Sequence, residues 1–192
     1  MLIVAQPRSA SSSLVKSLSG LLGIESTNLW KDGNMNELLR REKNKYPSFK
    51  HLPHSDIFEY TRGEIFQLIE TKKIYKHYLI PIDSHVDILK ESKEKFVVLV
   101  RDPAIQTYES YRRKLRAGMR DHYNIVRNKS HVIYELELFN KKYHEYFENY
   151  DKCLFIEFHD LIADQSHHIN KIFDFFGMTK RVGFDYKLPW IK

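Results

Sequence analysis

The chain has 192 residues, enough to bury a full hydrophobic core without metal or disulfide staples. Its 42% hydrophobic and 14% aromatic content excludes an intrinsically disordered chain, and seven glycines and six prolines exclude collagen-like or linker-like architectures. The excess of 31 Lys and Arg over 25 Asp and Glu, a formal net charge of +6, points to an anionic partner without naming its class.

The single cysteine, Cys153, rules out an internal disulfide and any multi-cysteine zinc site, and fits a reducing, cytoplasmic compartment. No stretch approaches the roughly 18 apolar residues of a transmembrane helix. The opening apolar run is too short for a signal peptide, so it reads as a strand and the fold is expected to begin almost at residue 1.

In chain order, Leu2–Ala5 is a short apolar run of the kind that forms a buried strand. Residues 12–22 follow as a helix, with Leu14, Val15, Leu18, Leu21 and Leu22 at helical spacing. The loop between them is Gln6-Pro-Arg-Ser-Ala-Ser-Ser-Ser13. A helix N-terminus offers unpaired N–H groups and the positive end of a dipole. Small residues let a phosphate approach the backbone, four serines add hydroxyls, and Arg8 adds a planar cationic fork. The loop therefore suits a phosphate or phosphosulfate; the alternative is that Ser11 or Ser12 is only an N-cap and Arg8 a solvated charge. It is not a Walker A loop, because it lacks glycine and the Gly-Lys-Ser/Thr ending.

Residues 25–60 give no clear pattern and are read as a helical or irregular excursion. Thr61-Arg-Gly-Glu64 reads as a capping box ahead of Ile65, Phe66, Leu68 and Ile69. Residues 74–80 form the next apolar strand and carry Lys76 and His77. Strand neighbours point to opposite faces, so these two reach one atom only through a bulge or at the strand end. Phe96–Val100 is continuously apolar, as in a parallel strand covered on both faces. It ends in Arg101-Asp102-Pro103, where Pro103 suits a first helical turn, Asp102 can cap it, and Arg101 can clamp a phosphate or pair with a carboxylate.

The helix from Ala104 carries Tyr108 and Tyr111 and runs into Arg112, Arg113, Lys114, Arg116, Arg120, Arg127 and Lys129, opposed only by Asp121. That stretch is either a solvated face or a guide for an anionic ligand. Val132, Leu136, Phe139, Tyr143 and Phe147 predict a long amphipathic helix over 130–150. A strand over 153–158 and a helix with Ile169, Ile172, Phe173 and Phe176, closed by Gly177, complete the chain. Strand–helix alternation predicts an α/β fold, a parallel sheet flanked by helices, in one domain over 1–192. Ligands then bind in the loops after Ala5, Ile80, Val100 and Phe158.

The strand followed by Pro7-Arg-Ser-Ala-Ser-Ser12 resembles the 5′-phosphosulfate loop of sulfotransferases that use 3′-phosphoadenosine 5′-phosphosulfate (PAPS) as donor. That loop usually reads Pro, Lys or Arg, then Ser-Gly-Thr-Thr or Ser-Gly-Ser-Ser. Ala10 replaces its glycine, and Ser13 stands where many members carry a tryptophan under the adenine. The strand ending in Arg101-Asp-Pro resembles the family's 3′-phosphate element. The family's serine eight positions on is Glu109 here, with Ser110 next, a rotation of about 100° on a helix.

Lys76-His77-Tyr-Leu-Ile-Pro81 partly matches the Lys-Thr-His-Leu-Pro strand whose histidine is the general base. An unperturbed histidine, with a pKa of about 6.5, suits that task. Lys50-His51-Leu-Pro53 is a second, superficial match, and Asp83, His85, His51 and Glu59 are rival bases. Phe158-His-Asp-Leu161 resembles a late Tyr-Glu-Asp-Leu segment, in which Leu161 packs and Asp160 caps or pairs.

The resemblance spans residues 2–177. It implies a P-loop-NTPase-like sulfotransferase architecture with PAPS as co-substrate and no metal. Arg8, Ser9, Ala10, Ser11, Ser12, Ser13, Arg101 and Ser110 would bind the donor, and Lys76 and His77 would serve the chemistry. The acceptor would be a hydroxyl or amine on a small molecule or glycan, lined by residues 25–60 and the loops after Pro81 and Arg116, with no nucleic-acid or membrane partner. The other classes considered are a P-loop-like kinase and a non-catalytic polyanion binder using the basic stretch.

Overall fold

The computed structural model describes residues 1–27, 47–49, 51–52, 61–63, 65–66, 73–118 and 126–179. Its strands are β1 (Leu2–Ala5), β2 (Ser26–Thr27), β3 (Ile74–His77), β4 (Phe96–Val100) and β5 (Cys153–Glu157). The helices among the described residues are α1 (Ser11–Leu22), α2 (Asp83–Glu91), α3 (Ala104–Arg116), α4 (Lys129–Phe147), α5 (Phe158–Ala163) and α6 (Gln165–Phe176), with a 3₁₀ turn at Pro47–Phe49. The strands form one parallel sheet in the order β2-β3-β1-β4-β5. The α/β class expected from strand–helix alternation is therefore the observed one.

Alternation along the central strands divides the core into two layers. Leu2 and Val4 of β1 and Phe96, Val98 and Val100 of β4 face α2, α3 and α4, whose Leu89, Tyr111, Leu136, Phe139, Tyr143 and Phe147 complete that side. Ile3, Ala5, Val97 and Leu99 face α1 and α6, through Leu14, Leu18, Ile169, Ile172 and Phe173. Both faces of β1 and β4 are covered, which is why these strands are continuously apolar.

Several boundaries differ from the sequence expectations. β3 stops at His77, because its partner β1 leaves the sheet after Ala5; residues 78–80 continue outside the ladder. There the Leu79 carbonyl instead accepts a 2.7 Å hydrogen bond from the buried Tyr143 hydroxyl. Tyr143→Phe is therefore expected to lower stability by about 1–2 kcal/mol, since a buried carbonyl loses its partner. A urea midpoint equal to that of the wild type would refute this. Helix α2, which no sequence expectation covered, buries His85, Val86 and Leu89 on one face of a nine-residue segment.

Caps also differ. Pro103, not Asp102, is the N-cap of α3, with no side-chain hydrogen bond there. Asp160 lies inside α5, and the cap of α6 is Asp164, which accepts from the His167 N–H at 2.9 Å. Gly177 closes α6 in the left-handed conformation, as expected. Thr61 accepts through its carbonyl from the Ile65 N–H at 3.1 Å, while Glu64 of the expected capping box lies outside the described residues.

Candidate functional site

The carboxyl ends of β1 and β4 adjoin, since Ala5 pairs with Leu99 and the Gln6 N–H continues to the Leu99 carbonyl at 2.8 Å. The loops leaving these two strands are thus forced into contact. In the first, Arg8 (φ 64°) and Ala10 (φ 60°, ψ 15°) both adopt the left-handed conformation. Ala10 is the N-cap of α1, and neither Ser11 nor Ser12 caps the helix. A β-carbon in this region is disfavoured by about 1–2 kcal/mol. Ala10→Gly is therefore expected to raise stability by about 1 kcal/mol, after the extra chain entropy of glycine is set against the relieved strain. An unchanged or lower melting temperature would contradict the strain.

The two loops interlock through Arg101, whose Nη1 donates to the Arg8 carbonyl at 3.0 Å. Arg8 in turn donates from Nε to Ser110 Oγ at 3.2 Å. Ser110 is 7% exposed and faces the loops, whereas Glu109 turns outward onto Arg112 at 2.9 Å. The one-residue ambiguity in the helix register is resolved in this way. The Phe158 ring lies 4.1 Å from the Arg101 guanidinium carbon. Burial, then the like charges of Arg113 and Arg8, push the Arg101 pKa down to about 10, so it remains charged at neutral pH. Its Nε is buried and has no hydrogen-bond partner. Among the described residues, no carboxylate forms an ion pair with Arg8, Arg101 or Arg113.

A pocket of about 760 Å³ opens here. Of the residues expected from sequence, Arg8, Ala10, Ser11, Ser12, Ser13, Arg101 and Ser110 line it. Ser9 does not: it is fully buried, and its hydroxyl donates to the Gln6 carbonyl at 2.7 Å. Gln106, Arg113 and Lys114 line it as well; Arg113 and Lys114 belong to the basic stretch read as a solvated face or an anion guide, whereas Gln106 carried no expectation. They lie four, three and four positions from Ser110 on α3, the helical spacing that could have found them.

Lys76 reaches the side of the sheet on which the loop after β1 and helix α1 lie. Its Nζ donates to Ser12 Oγ at 3.2 Å and to the Tyr78 hydroxyl at 2.9 Å. Tyr78, two residues on, also lines the pocket. His77 is 3% exposed, lies on the opposite strand face and does not line the pocket. Of the rival bases, buried His85 contacts the Ile80 carbonyl at 2.9 Å, and Asp83 accepts from Tyr146 at 3.0 Å. His51 is 2.6 Å from Glu135 Oε1 and does not line the pocket; Glu59 lies outside the described residues.

Solved structures that resemble this fold include two sulfotransferases. A sulfotransferase from Alicyclobacillus acidocaldarius superposes with a TM-score of 0.53 at 15% identity, covering 97% of this chain and 84% of that one. Mouse sulfotransferase SULT7A1 complexed with PAP gives a TM-score of 0.53 at 15% identity, covering 95% of this chain and 59% of that one. No curated protein sequence matches. The sulfotransferase family profile matches residues 1–181, nearly the whole chain, and this chain belongs to the sulfotransferase family.

Proposed function

We propose that the chain transfers a sulfuryl group from PAPS to a hydroxyl or amine on a small-molecule or glycan acceptor. The observation that carries this reading is the convergence of Arg8, Arg101 and Arg113 on one pocket without a carboxylate partner among the described residues. Three like charges gathered on one pocket, with Arg101 half-buried, repel one another, and an anionic ligand supplies the missing partners. The buried, unpartnered Nε of Arg101 fits a phosphate oxygen, because a guanidinium binds phosphate through a planar fork. The bisphosphate in the mouse neighbour's name agrees with this choice of ligand.

In this reading Arg101 and Ser110 hold the 3′-phosphate, and Arg8, Ser11, Ser12 and Ser13 with the N-terminus of α1 hold the 5′ group. The donor supplies the sulfuryl group. Lys76, beside Ser12, faces the negative charge that builds on the leaving oxygen. Tyr78, accepting from Lys76, places an ionisable oxygen at that same end, while buried His77 packs on the far face.

A thermal-shift series with adenosine 3′,5′-bisphosphate tests the donor site. Ligand at about 100 times its Kd should add about 2.7 kcal/mol of stability. No shift at millimolar ligand would defeat the reading. A shift with magnesium-ATP and ATP hydrolysis would favour a kinase instead, and steeply salt-dependent binding to generic polyanions would favour a non-catalytic binder. Labelled PAPS offered with a panel of sugars, phenols and peptides then identifies the acceptor.

A further inference from the structure

We propose that Gln6, assisted by Asn140, is a positioning residue that sets Arg101 against the phosphate loop. The proposal rests on the donor reading above and extends it to residues outside the pocket lining.

Gln6 is 0% exposed, yet polar, at the end of a strand whose other residues are all apolar. A buried amide is tolerated only where its groups are hydrogen-bonded. Its Oε1 accepts from the Arg101 N–H at 2.6 Å, and its Nε2 donates to the Leu136 carbonyl of α4 at 3.5 Å, a long and weak bond. Its own carbonyl accepts from Ser9 Oγ at 2.7 Å and the Ser9 N–H at 3.3 Å. One side chain therefore links the end of β4 to α4, while its backbone shapes the phosphate loop.

The Arg101 carbonyl is held in the same manner, accepting from Asn140 Nδ2 at 3.2 Å. Both backbone groups of Arg101 are thus tied by side chains just past the strand, where the sheet no longer sets its direction. The guanidinium projects from this doubly tied residue, with Nη1 on the Arg8 carbonyl and Nε unpartnered. Preorganisation of this kind matters because ligand binding then need not order the side chain. An apolar residue at position 6 would fill the same space without aiming Arg101.

Calorimetric titration of adenosine 3′,5′-bisphosphate into four proteins provides the test: wild type, Gln6→Met, Arg101→Ala and the double variant. Methionine keeps the volume and removes both hydrogen bonds. Gln6→Met is expected to weaken binding about tenfold in the wild-type background and to have no further effect once Arg101 is absent. Equal weakening in both backgrounds, or none in the first, overturns the proposal. If Gln6→Met does not fold, Asn140→Leu takes its place in the same cycle, with the same expectation and the same refuting outcomes. A wild type that does not bind overturns the donor reading and this proposal together; a binding wild type with an additive cycle overturns this proposal alone.

Discussion

Arg101→Ala is expected to weaken adenosine 3′,5′-bisphosphate binding by about 100-fold or more. A charge-assisted hydrogen bond contributes roughly 1.5–3 kcal/mol, and a bidentate contact involves two. Burial first, then the like charges of Arg113 and Arg8, lower the Arg101 pKa to about 10, and a bound anion offsets both effects. Arg101→Lys should recover only part of the loss, since an ammonium keeps the charge without the planar fork. The variant also frees the Phe158 ring and the Arg8 carbonyl from their contacts with the guanidinium, so its fold is checked by circular dichroism beside the titration. Near-wild-type affinity in a folded Arg101→Ala protein would remove Arg101 from the donor site.

Lys76→Met is expected to slow sulfuryl transfer by about 100- to 1000-fold while changing bisphosphate affinity much less. Lys76 meets Ser12, in the first turn of α1, and Tyr78, in the pocket wall. A cation placed where charge develops stabilises the transition state more than the ground state, and losing one such donor typically costs about 2.7–4 kcal/mol. Single-turnover rates on saturating PAPS, compared with Kd for the bisphosphate, separate the two effects. A loss of affinity as large as the loss of rate would make Lys76 a binding residue only.

Much of this architecture is legible in the sequence. Apolar runs at 2–5 and 96–100 announce strands covered on both faces, and the polar loops beyond them carry Arg8 and Arg101. Local rules suffice there, because a parallel strand and the helix start that follows are encoded in adjacent residues. Helix α2 was not legible because only Val86, Ile88 and Leu89 of its nine residues are apolar, although Val86 and Leu89 stand at helical spacing. The strand over 74–80 was read too long because its end depends on where β1 stops pairing.

The alternation of apolar runs and helical patterns determined the α/β class, and the strand ends placed Arg8 and Arg101 in the loops after β1 and β4. Only the tertiary structure decided which hydroxyls face the pocket. Ser9 turns inward and Ser110 is chosen over Glu109, because helix phase and loop conformation are set by packing against other elements. It likewise put Lys76 on the side of Ser12 and α1 and His77 on the other, and brought Gln6 to the backbone of Arg101, 95 residues away. Such contacts arise from strand order in the sheet, which no local stretch of sequence contains.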